Sequence, residues 1–234
     1  MPALPPDPAA VLDFWFSLDR PGKQHDGQVR EALGGLYQSA ARGDLDGWAN
    51  APEQAAGAVN AAGAVSSAHS RLALILLLDQ VPRHLFRGDP RTYATDHQAV
   101  ELTAMFMGHA HEPEDRAMGD SPDDGNWGDL SALEIFYATH PWLHAENEQR
   151  QARINPIYHR ITPGLPGLEY MAAIADLYWE TIRRFGRFPH RNEILGREST
   201  EEETRFLADE WNQRRRAART CPVAAAKPSF SGEE

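Results

Sequence analysis

The chain has 234 residues, 41% of them hydrophobic and 24% charged, with a formal net charge of -11. That length supports one large core or two small ones, and the charge sets the chain against nucleic acids and acidic membrane surfaces, which are both polyanions. Cys221 is the single cysteine, so no disulfide forms within the chain, and the longest strongly apolar run, Leu72 to Leu78, is far shorter than the roughly 20 residues of a membrane span. The start, MPALPPDPAAVLDFWF, lacks a basic segment followed by an apolar one, so no secretory signal is read and the expected location is the cytoplasm.

Pro8 suits a first helical turn, and Val11, Leu12, Trp15 and Phe16 then recur at helical spacing up to Pro21. A second helix is expected from Gln28 to Arg42, stopped by Gly43, and a short one from Asp44 to Asn50. Residues 51–66 are rich in Ala and Gly and read as a poorly packed insertion. The helix from Ser67 to Gln80 is apolar nearly all round and belongs at the centre, with Pro82 expected to end it. Tyr93 to Met107 follows, and residues 108–128 form a long polar loop.

Further helices are expected at Leu130 to Ala138, Pro141 to Asn155, Leu168 to Phe185 and Glu201 to Arg215. Gly186 is a natural stop for the third of these, and Thr200 with Glu203 forms a capping box for the fourth. No run shows strand-like alternation, so the chain reads as all-α. Residues 1–216 read as a single helical domain and 217–234 as a disordered tail.

Three polar stretches could carry chemistry. In LLLDQVPRHLFRG, Leu76 to Gly88, Asp79 lies at the expected C-terminus of the buried helix, where the dipole and desolvation both demand a cation; Arg83 and Arg87 are candidates, either as structural ion pairs or as a pocket wall. In HPWLHAENEQRQ, His140, His144 and Glu148 would share one face of a helix opened by Pro141. His144 with an orienting carboxylate suits a general base, but the stretch also reads as a solvated polar face. In RRFGRFPHRN, arginines and His190 crowd around Phe188 and Pro189, a density of planar donors suited to a carboxylate or phosphate, or to a rigid corner paired with acids such as Asp79 or Glu146. The chain carries no nucleotide or flavin motif, no nucleophile elbow, and no third ligand to make a metal site of the paired histidines, so no cofactor is assigned and a metal is not expected.

Together with VLDFWF at Val11 to Phe16, PWLHAE at Pro141 to Glu146 and FGRFPHRNEILGREST at Phe185 to Thr200, these stretches resemble the bacterial family known as domain of unknown function 924, over about Val11 to Leu207. The resemblance implies an all-helical, tetratricopeptide-like array of antiparallel helix pairs, and no function. Onto matching positions it carries Asp79, Gln80, Pro82, Arg83, Arg87 and Gly88, then His144, Glu146 and Gln151, then Arg187, Pro189, His190, Arg191 and Asn192. The chain departs from the pattern at His84, Ala145 and Tyr178.

The expectation drawn from all this is a small-molecule enzyme or ligand-binding protein with a pocket on a concave helical face. His144, Glu146 and Asp79 would be catalytic, and Gln80, Arg83, Gln151, Arg187, His190, Arg191 and Asn192 would bind an anionic ligand. The rival expectation is a tetratricopeptide-like module that captures a peptide or protein, without catalysis. Neither nucleic acid nor membrane is an expected partner.

Overall fold

The structure, a computed structural model, describes residues 4–18, 21–50, 66–107 and 125–220, and every regular element among them is helical, as the hydrophobic periodicity requires. Asp7 caps the first helix, its carboxylate accepting from the Ala9 amide ahead of α1 (Pro8–Ser17). Next come α2 (Asp26–Ala41) and a 3-10 turn at Asp46–Trp48, where a short helix was expected. The insertion and long loop read from the sequence lie outside the described residues, except at their edges. There Ser66 caps α3 (Ser67–Ile75), and Trp127 stacks on Phe106 at 5.5 Å.

Pro82 does not end the central helix. The helix passes from α3 through a π turn (Leu76–Gln80) into α4 (Val81–Leu85). In the π turn the Val81 amide reaches back five residues to the Leu76 carbonyl. Proline lacks the N–H that the Leu78 carbonyl would accept, and the Thr95 hydroxyl supplies a donor there instead, at 2.6 Å. Val81 and every residue from Leu72 to Leu78 are at most 2% exposed, so this is the central helix that the composition predicts.

A 3-10 turn at Pro90–Tyr93 leads into α5 (Asp96–Phe106). The expected break between Ala138 and Pro141 is absent. Instead α6 runs unbroken over Ala132–His144 with Pro141 inside it, and the chain turns at Ala145 to Asn147 before α7 (Glu148–Ile161). In the turn leading to Pro141, Thr139 Oγ1 donates to the Ile135 and Phe136 carbonyls and His140 Nδ1 to that of Phe136. His140 and His144 therefore share one helix, with ring centroids 5.3 Å apart, whereas Glu148 opens the next.

The helix α8 (Met171–Phe185) ends at Gly186, which takes φ 67°, the left-handed geometry that glycine adopts without strain. A 3-10 turn (Pro189–Arg191) follows. The last helix starts at the Thr200–Glu203 capping box and runs as α9 (Glu201–Arg205), a second π turn (Phe206–Trp211) and α10 (Asn212–Thr220). Residues 217–220, assigned to the tail, are thus helical, and the rest of that tail lies outside the described residues.

One apolar cluster gathers α1 to α5, with α1 packed on α3 and α2 on α4. A second gathers α6, α7 and α8, with α10 against α8. Packed on both α3 and α6, α5 joins the two. Asp79, Arg83 and His144 meet where the π turn and α4 approach α6.

Candidate functional site

The π turn sets Asp79 inside the protein, 0% exposed, at a place where a lone carboxylate would be prohibitively costly. Three groups answer it. Arg83 Nη1 stands 3.2 Å from Oδ1, His144 Nδ1 stands 3.0 Å from the same oxygen, and the Gln80 amide donates to Oδ2. Arg83 also donates to the Asp79 carbonyl and bridges to both oxygens of Asp96, at 3.0 and 3.1 Å.

Burial opposes ionisation of Asp79, but the charges of Arg83 and His144 and the hydrogen bond from His144 hold its carboxyl well below the usual range. Burial and the nearby Arg83 push His144 down to about 4, against the pull of Asp79. At neutral pH the pair is therefore carboxylate and neutral imidazole. Facing an ionised acceptor, Nδ1 carries the proton and donates it, which leaves the Nε2 lone pair on the opposite ring edge.

His144 lines a cavity of about 330 Å³. Its other walls come from α4 (Arg83), the stretch after it (Arg87, Gly88, Thr92, Tyr93), α8 (Tyr178), the 189–191 turn and the residues just beyond it (His190, Arg191, Ile194) and α10 (Arg215). Arg191 is 6% exposed, and its guanidinium lies over the rings of Tyr93, at 4.7 Å, and Phe188, at 4.5 Å. Its nearest carboxylate contact is Asp96 at 3.9 Å, and its buried Nε has no partner. His190 stacks on Trp211 at 4.5 Å, and its Nδ1 is likewise unpartnered. Burial, with the charges of Arg191 and Arg215, pushes His190 down to about 3, so it too is neutral.

Of the residues expected to form one site, Asp79, Gln80, Arg83, His144, His190 and Arg191 come together here. The others are placed elsewhere. Glu146 does not orient His144: it accepts two bonds from Arg197, at 2.6 and 2.9 Å, and the Phe188 amide at 2.8 Å, which ties the turn after α6 to the turn after α8. Arg187 grips Glu203 through two bonds of 2.7 and 2.8 Å and does not face the cavity. Asn192 donates to Ser199 and Glu203, and Gln151 to the Leu143 and Ala145 carbonyls at the end of α6. These are fastenings of the fold.

Sequence reasoning missed Tyr93, Asp96 and Arg215. Tyr93 and Asp96 sit in a stretch that read as a plain amphipathic helix, and Arg215 lay at the expected end of the last helix, in a basic run with no motif around it. Among the described residues, no group of three His, Cys, Asp or Glu side chains could hold a metal ion, and no helix is long and apolar enough to cross a membrane.

A family model described as bacterial protein of unknown function (DUF924) matches residues 9–210. The chain belongs to that family. A solved structure described as that of a protein of unknown function from Agrobacterium tumefaciens is 31% identical to it, covers 86% of this chain and 96% of its own, and superposes with a TM-score of 0.61. No curated protein matches. His84 pairs with Asp26 at 2.8 Å and fastens α4 to the start of α2, and Tyr178 packs on Phe188 and Trp211 in the cavity wall.

Proposed function

We propose that this DUF924 member binds a small anionic molecule in the cavity and acts on it by proton transfer through His144. The observation that carries the reading is the Asp79–His144 pair: a fully buried carboxylate holds one ring nitrogen at 3.0 Å while the ring borders a cavity walled by arginines. Asp79 fixes the tautomer and stabilises the imidazolium formed when Nε2 takes a proton from substrate or from a water molecule. An anion seated against Arg191 and Arg215 would raise the proton affinity of His144 from its low resting value, so the base would gain strength as substrate arrives. Among the described residues no Ser or Cys lines the cavity, and the Thr92 hydroxyl is engaged with the Phe86 carbonyl, which favours direct proton transfer or water activation over a covalent intermediate.

A tetratricopeptide-like array fits the succession of packed helices α6, α7, α8 and α10. Cavity walls drawn from six separate segments suit a small molecule better than an extended peptide.

The test is a thermal-shift panel of small carboxylates, phosphates and their neutral amides, followed by a search for turnover of whatever binds. Stabilisation by anions alone, lost in Arg191→Gln, supports the site; equal response to the neutral amides overturns it. A folded His144→Gln variant is expected to bind and not turn over, and retained turnover would remove His144 from the mechanism.

A further inference from the structure

We infer that the cavity selects a monoanion, and specifically a carboxylate in preference to a phosphate ester. The inference deepens the anion reading above and rests on it. Four guanidinium groups line the cavity, those of Arg83, Arg87, Arg191 and Arg215. Three carboxylates answer them: Asp79 and Asp96 at Arg83, Asp96 more distantly at Arg191, and Asp26 at Arg87. Arg215 has no carboxylate partner among the described residues; it lies over Trp211 at 5.5 Å, and its Nε is buried without a bond. With His144 and His190 neutral, the walls carry one uncompensated positive charge.

Arg191 supplies the second, independent observation. It is 94% withdrawn from solvent, its ring-stacked guanidinium is held in one plane, and its Nε points to no acceptor. A carboxylate presents two coplanar oxygens that match the Nε and Nη edge of such a group, and it brings the single negative charge that the walls lack. A phosphate monoester brings two charges near neutral pH, and the second has no cation left in a desolvated site. It would be held only if His144 or His190 took up a proton. Tyr93 and Tyr178 offer ring surface for an apolar body attached to the acid.

The experiment is calorimetric titration of the full chain with benzoate, phenyl phosphate and benzamide at pH 7.5, each in two buffers of different ionisation enthalpy. Benzoate is expected to bind at least tenfold more tightly than phenyl phosphate, with no net proton uptake, and benzamide not at all. Arg215→Gln, at a partly exposed position, is expected to weaken benzoate at least fivefold while leaving the melting temperature of the free protein within 2 °C, a shift well below that of a typical core substitution. Tighter binding of phenyl phosphate, or benzoate binding with uptake of a full proton, overturns the monoanion assignment and leaves the anion site standing. Equal binding of benzamide and benzoate, or no binding by any of the three, overturns both.

Discussion

The Thr95 hydroxyl donates at 2.6 Å to the carbonyl of Leu78, the group that Pro82 leaves without its helical partner. Both residues are buried, so no water stands ready to replace the donor. Thr95→Val keeps the shape and removes the hydroxyl, leaving a buried acceptor unsatisfied. It should cost about 1–3 kcal/mol in urea denaturation. A loss below about 0.5 kcal/mol would show that the helix carries Pro82 without this bond.

Stability should fall as acid is added well before the carboxylates titrate. His84, His140, His144 and His190 are all pushed down, chiefly by burial. For a group so depressed, the folded state resists a proton that the unfolded chain accepts near pH 6.5. Its contribution is complete above that value and lost between there and the folded pKa. For His144, at about 4, the loss is on the order of 3 kcal/mol. Melting curves should drop between pH 7 and pH 4.5, and less steeply in His144→Gln. An identical slope in wild type and variant would contradict the neutral state of His144.

His69 should behave in the opposite sense. Its Nε2 lies 3.0 Å from Glu134 and its Nδ1 3.4 Å from Asp129, and the hydrogen bond to Glu134 raises it despite partial burial. A raised group contributes fully below its unfolded pKa and loses that contribution as pH rises through the folded one. Glu134→Gln should therefore cost more at pH 5.5, by about 1–2 kcal/mol, than at pH 9. Equal costs at the two pH values would mean that His69 is not the partner that matters.

Arg187 tests the difference between a fastening and a binding group. Glu203 is 2% exposed and is held low, to about 2, chiefly by its hydrogen bonds from Arg187. Arg187→Gln leaves that carboxylate short of its cation and should destabilise by about 3 kcal/mol. Benzoate affinity measured on the folded fraction should not change. A tenfold loss of affinity at unchanged stability would return Arg187 to the site.

Where the chain's own neighbours decide a conformation, the sequence was readable: the Thr200–Glu203 capping box, the Gly186 stop and the apolar run through Leu78 all appear as expected. The prolines misled because the rule that they break helices holds for a helix alone in water. Pro82, Pro141 and Pro156 all lie inside helices, and at Pro82 a hydroxyl distant in sequence makes up the missing donor. The site was legible as three stretches and not as a choice among their members. Arg187 and Arg191 look alike in FGRFPHRN, and only the positions of Glu203 and Asp96 decide which is neutralised and which keeps free hydrogen-bonding capacity. From sequence, the carboxylate beside His144 could be either Glu146 or Asp79. In space Asp79 is the carboxylate that meets the His144 ring, from 65 residues away.

The two π turns have one consequence for how the cavity is built. Arg83 follows the first by three positions and Arg215 follows the second by four, so both reach the cavity from helix whose phase has been reset just upstream. Regular winding over the same residues would swing everything beyond either turn, the arginine included, by about 100° around the helix axis. The cationic wall and the buried face beside it would turn together, so each π turn sets at once how its helix packs and where its arginine meets the opening.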